Sequence, residues 1–242
     1  MANKVVKRGK LYFRGLKNIM RVRYKPTRFV YLGEKFPNGS VILSNHEGTD
    51  APMALEMYLN RDFRMWGAYE MNSGLPLLYS YQTKIYYHEK KHWNLHLARL
   101  FCLLASPLTY LFYSGLDLIS TYRDTRVVKT LKESLGAIQK GKSIVVFPEH
   151  SEKGYLPELE GFHEGFALFA EYCAKRKGID LPIVVSYFRK SENTYVFDAP
   201  VLYSELVARY GSRREIVAYL LARCNELGKL PLPQKNLEEK AK

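Results

Sequence analysis

The sequence is short of cysteine throughout and short of acid at one end. Three cysteines in 242 residues, Cys102, Cys173 and Cys224, are too few and too scattered for a disulfide framework or a zinc motif. A reducing cytoplasm is their simplest setting. There is no internal repeat and no low-complexity linker, so one main domain is expected. Disordered and fibrous classes are excluded by 47% hydrophobic and 25% charged residues, which is ordinary globular composition. No acid precedes Glu34, whereas ten basic residues, from Lys4 to Arg28, lie in that stretch. Arg14, Lys17, Arg21 and Arg23 interrupt any apolar core that a signal peptide would need, and no small-residue cleavage site follows.

What is present is charge gathered at one end. The formal net charge is +13, yet beyond Arg28 there are 27 basic against 24 acidic residues, a balance of +3. A nearly neutral domain therefore carries a basic N-terminal segment, which calls for an anionic partner. Val5, Tyr12, Leu16, Ile19 and Met20 recur at helical spacing between the Lys and Arg residues. Residues 1–26 thus read as a basic amphipathic helix for a membrane interface, or as a surface helix packed on the body. No nucleic-acid module accompanies the charge, so nucleic acid is not the expected partner.

From residue 27 the pattern is α/β: a mainly parallel central sheet covered by helices, over residues 27–242. Strands are expected at RFVYLGE, VILSN (41–45), FRMWGAY (63–69), SIVVF (143–147), LPIVVSYF (181–188) and TYVFDAP (194–200). Helices are expected at 51–60, 126–140, 162–177 and 202–228, the last broken at Gly211. In 126–140 the apolar stripe is Val128, Leu131, Leu135 and Ile138. The run 97–118 is about long enough to span a bilayer. It contains Arg99, Pro107 and Asp117, so a broken, buried or membrane-dipping hairpin is expected rather than a spanning helix.

Four segments carry residues suited to chemistry. Asn45-His46-Glu47-Gly48-Thr49-Asp50 follows a strand at the end where α/β folds place ligands. A His with a nearby carboxylate is a minimal general base. The plainer reading is that Thr49 or Asp50 caps the next helix. Ile119-Ser120-Thr121-Tyr122-Arg123 ends in an Arg fork suited to phosphate or carboxylate, or to a surface ion pair. Phe147-Pro148-Glu149-His150 delivers a carboxylate and an imidazole from a buried strand. Phe162-His163-Glu164-Gly165 opens a helix.

In that order, and with Leu181-Pro182-Ile183-Val184 after them, these segments resemble the motifs of the lysophospholipid acyltransferase family, typified by 1-acylglycerol-3-phosphate acyltransferases. The resemblance covers roughly residues 27–230. It implies transfer of an acyl chain from acyl-CoA or acyl-carrier protein to a lysophospholipid or related glycerolipid hydroxyl, at the cytoplasmic face of a membrane. His46 would be the base and Asp50 its orienting carboxylate. Asn45, Arg123, Glu149, His150, Lys153, His163 and Gly165 would lie at the substrate. No metal or bound cofactor is implied, and anionic lipid is the implied surface. The alternative is an acyltransferase-like protein that binds lipid or acyl-carrier protein without turnover.

The chain departs from the family pattern in three places. Three residues separate His46 from Asp50 where the family has four. His150 stands for a Gly and Glu152 for an Arg, with Lys153 one place late. His163 stands for a Lys. Both basic losses fall where the family meets an anionic head group, which leaves room for a different acceptor.

Overall fold

The computed structural model describes residues 11–150 and 156–232. The chain order is α1 (Leu11–Met20), β1 (Arg28–Tyr31), β2 (Val41–Ser44), α2 (Asp50–Tyr58), β3 (Phe63–Ala68), α3 (Tyr69–Asn72), α4 (Leu75–Ser80), a π-helical segment (Tyr81–Lys90), α5 (Leu95–Tyr113), β4 (Ile119–Thr121), α6 (Val127–Gln139), β5 (Ser143–Val146), α7 (Gly165–Lys177), β6 (Pro182–Arg189), β7 (Thr194–Phe197), β8 (Val201–Leu202), α8 (Tyr203–Tyr210) and α9 (Arg213–Lys229).

β2 and β5 are buried at every position because helices cover both of their faces, which is why each reads as an unbroken apolar run. Successive side chains alternate between the faces. Val41 and Leu43 join Ile144, Val146, Ile183 and Val185 in a core shared with α6, α7 and α9. Ile42, Val145 and Val184 point the other way, toward α2 and the rings of Phe36, Phe63, Tyr195 and Phe197. Among the described residues the sheet order is β1-β7-β6-β2-β5-β3-β4, with β8 paired to β6. β2 is parallel to both neighbours, β5 is parallel to β3, and β3 to β4. β6 is antiparallel to β7 and β8. The expected α/β class with a mainly parallel sheet is the one found.

Two expectations need correction. The 97–118 run is neither broken nor buried: α5 continues through Pro107 as one helix, and most of its apolar side chains face outward. Its inner face is held by small residues, Ala98, Cys102 and Ser106, and by a 2.7 Å bond from the Ser106 hydroxyl to Gln82. Val128, placed on the inner stripe of α6 by spacing, is exposed, while Leu131, Leu135 and Ile138 are buried as expected.

α1 covers the N-terminal helix expected over 1–26 from Leu11 to Met20; residues 1–10 of that expectation lie outside the described residues. Phe13 fills a notch at Gly115, where even a methyl group would come within 2.3 Å of its ring. Its ring meets Phe112 at 5.3 Å, and Tyr12 shares a 2.7 Å hydrogen bond with Ser114. Lys17 makes a 3.1 Å ion pair with Glu56 of α2, whose side chain is buried.

Candidate functional site

β2, β3, β4 and β5 run parallel, so the loops that follow them open on one edge of the sheet, the edge where such folds bind ligands. The loop after β2 starts from a fixed point. Asn45 is 2% exposed. Its side-chain oxygen accepts from Phe188 N–H at 2.7 Å, and its amide donates to Phe188 C=O at 3.1 Å. Asn45 therefore acts as one more rung between β2 and β6 and sets the direction in which His46 leaves the sheet.

A tight turn follows. The Gly48 N–H donates to His46 C=O at 2.8 Å, and the Asp50 N–H to Glu47 C=O at 3.0 Å. Gly48 sits at φ +56 with open space around it, so the turn needs glycine for backbone conformation and not for room. The Thr49 hydroxyl accepts from Tyr24 OH at 3.1 Å instead of capping α2.

The loop after β5 meets this turn. The His46 N–H donates to a Glu149 carboxylate oxygen at 2.9 Å, and the His46 ring packs edge-on to Phe147 at 5.0 Å. Burial pushes the Glu149 carboxyl above the usual carboxylate range, and the bond from His46 N–H only partly offsets this. The segment then pairs with the one that opens α7. Glu149 and Phe162 form an antiparallel bridge, His150 N–H donates to Gly161 C=O at 2.9 Å, and His163 N–H donates to Pro148 C=O at 2.7 Å. That short ladder sets the His150 and His163 rings 4.8 Å apart.

Partial desolvation, then His150 and the Arg123 guanidinium, hold the His163 imidazole below its usual range. The Arg123 charge is thus felt at His163, although Arg123 comes from the loop after β4. Gly165 begins α7 beneath Trp66, where a Cβ would meet the indole at 3.4 Å. Lys153 lies outside the described residues.

Asp50 faces two cations. Lys190 reaches its carboxylate at 3.0 Å and Arg23 at 3.4 Å. Neither residue was singled out from the sequence. Lys190 follows the end of β6, some 140 residues on, and only the pairing of β6 with β2 brings it near. Arg23 carried a signal, its place in the acid-free N-terminal segment, but nothing local linked it to Asp50.

Chemically the arrangement is an imidazole on a tight turn, a half-buried carboxylate bonded to that turn, and the His150 and His163 rings side by side, with the Arg123 charge felt at His163. Among the described residues no cluster of His, Cys, Asp and Glu suited to a metal ion is present.

No family model and no curated protein matches the chain. A solved structure similar to it is the 1-acyl-sn-glycerophosphate (LPA) acyltransferase PlsC from Thermotoga maritima. The identity is 12% and the TM-score 0.49, over 92% of this chain and 80% of that one. The α/β class of the present chain rests on its own strand order.

Proposed function

We propose that the protein is an acyltransferase that moves an acyl chain from acyl-CoA or acyl-carrier protein to the hydroxyl of a lysophospholipid or related glycerolipid, at the cytoplasmic face of a membrane. The observation that supports it most is the junction of three loops: His46 bonded through its backbone to Glu149, and His150 and His163 beside each other within the field of Arg123. These are the residues that the family resemblance selects.

In this reading the His46 imidazole takes the proton of the acceptor hydroxyl as its oxygen attacks the thioester carbonyl. The tetrahedral intermediate collapses, the C–S bond breaks, and the departing thiolate takes a proton from the imidazolium. Arg123, with His150 and His163 when protonated, neutralises a phosphate on the acceptor. No covalent enzyme intermediate is needed, and Cys102, Cys173 and Cys224 are all buried.

The test is lipid-product analysis after incubation with acyl-CoA and a panel of lysolipids. His46→Ala should lower turnover by about 10²–10⁴-fold with unchanged thermal unfolding. Full activity in the variant would overturn the role of His46. One observation favours a second reading, binding without turnover: Asp50 is engaged by Lys190 and Arg23. That reading is supported if the wild-type chain binds lysolipid or acyl-carrier protein but yields no product with any donor.

A further inference from the structure

α5 is inverted relative to an ordinary surface helix. Its protein-facing side carries Ala98, Cys102 and Ser106, small and partly polar. Its outer side carries Leu97, Leu100, Phe101, Leu104, Leu108 and Leu111, all exposed, with Leu104 at 79%. Their spacing of three and four residues keeps them on one stripe along the whole helix, about 28 Å at 1.5 Å per residue. Exposed aliphatic area of this extent is unusual on a soluble monomer and marks an interaction surface.

Three features identify the occupant. The first is charge. From Lys91 to Leu116, and again from Leu11 to Lys25, there is no Asp or Glu, while Lys91, Arg99, Arg21 and Lys25 stand exposed. The second is the placement of aromatic side chains. Trp93, Tyr87 and Phe101 cluster at one end of α5, and Tyr110 and Tyr12 lie at the other, so both ends of the stripe carry the amphipathic rings that settle at headgroup depth, as a helix lying in the interface requires. The third is continuity. α1 joins α5 through Phe13, Gly115 and Tyr12, and it turns Leu11 and Ile19 outward, with Val22 exposed just beyond its end.

We infer that the outer face of α5, extended by α1, is a docking surface for one leaflet of an anionic bilayer, with α5 lying in the plane of the interface. α5 is long and apolar enough to cross a membrane by composition alone. One of its sides is occupied by the body of the protein, however, and its apolar stripe runs its full length, so the geometry suits burial side-on to acyl-chain depth. This places the main apolar contact on α5, within the 97–118 run for which the sequence offered a membrane-dipping segment among its readings, and makes the basic N-terminal helix an extension of it. The inference stands on exposure and charge and does not depend on acyl transfer.

The experiment is flotation of the full chain with phosphatidylcholine vesicles, with and without phosphatidylglycerol, followed by the same measurement on L104D/L108D. The wild-type chain should float, more strongly with phosphatidylglycerol. The variant should retain its fold by circular dichroism and lose roughly tenfold or more in vesicle partition, given the apolar area withdrawn. The chain has two Trp, so Trp66→Phe leaves Trp93 as the single reporter. Its fluorescence should be quenched by phospholipid brominated close to the glycerol. Unchanged flotation of L104D/L108D, or unquenched Trp93 on vesicles that carry the protein, would overturn the proposal. So would a wild-type dimer in light scattering that the double variant turns into a monomer while vesicle binding persists, because the face would then be covered by a second copy. None of these readouts measures turnover, so their failure is separate from failure of the acyl-transfer reading.

Discussion

α6 and α5 place their apolar residues in opposite directions. α6 turns Leu131, Leu135 and Ile138 onto the sheet and leaves Lys129, Lys132 and Glu133 in solvent. α5 turns Ala98, Cys102 and Ser106 inward and leaves its leucines outside. Both are amphipathic, and both lie on the same α/β body. The difference is in what each has opposite it: α6 meets a sheet face made of Val, Ile and Leu, whereas α5 meets the π-helical segment, against which it buries Ala98, Cys102 and Ser106, the last bonded to Gln82. Apolar periodicity therefore shows that a helix has two sides without showing which side the protein itself covers.

The comparison can be broken most directly by placing the same charge on each helix. Leu135→Asp puts an unpaired carboxylate into the core and should cost more than about 4 kcal/mol, or prevent folding altogether. Leu104→Asp should change stability by no more than about 0.5 kcal/mol in chemical denaturation. Comparable losses at the two sites would mean that α5 has an apolar partner within the protein.

A smaller effect is expected where α1 meets α5. Gly115→Ala forces a methyl group against the Phe13 ring and Cβ and should cost about 1–3 kcal/mol. Cleavage by trypsin after Arg21 and Arg23 should quicken in the same variant. A neutral outcome would show that α1 is not seated by this notch.

The smallest effect belongs to the polar side of the molecule. The Glu149 carboxyl is raised in the fold, mainly by burial. The folded state thus holds that proton to higher pH than the unfolded state does, and stability is lost as pH rises through the interval between the two. Glu149→Gln removes that loss and can still accept the His46 N–H. Its melting temperature should exceed the wild-type value at neutral pH, with the gap closing below the ordinary Glu pKa of 4.5. A variant less stable than wild type at neutral pH would show that the charge itself holds the turn.

The sheet was the most legible part of the sequence. β2 and β5 read as strands because burial on both faces demands an apolar residue at every place. The helices over the sheet followed from spacing, apart from Val128, which is exposed in the first turn of α6. Residues 70–90 gave no reading, since two short helices and a π-helical segment carry no sustained period of 3.6. In the site, the residues of each loop were legible one by one, but their partners were not. Asn45, read as a substrate contact, also bonds to Phe188, and Asp50, read as the carboxylate that orients His46, also pairs with Lys190 and Arg23. Those partners come from other strands or from the N-terminal segment, and local spacing carries no information about them.

The stretch from Lys17 to Tyr24 has a practical consequence. Lys17 ends on Glu56, Arg23 on Asp50 and Tyr24 on Thr49, so this short piece of chain is tied three times to α2 and the turn before it. It is a strut between the apolar face and the turn that carries His46. Removing residues 1–26 would therefore cut the strut along with the positive charge, and a fall in activity would not separate the two. Charge reversal at Arg21, whose side chain bonds to Asn18, and at Lys25 leaves all three ties in place and alters only what the surface offers to an anionic layer.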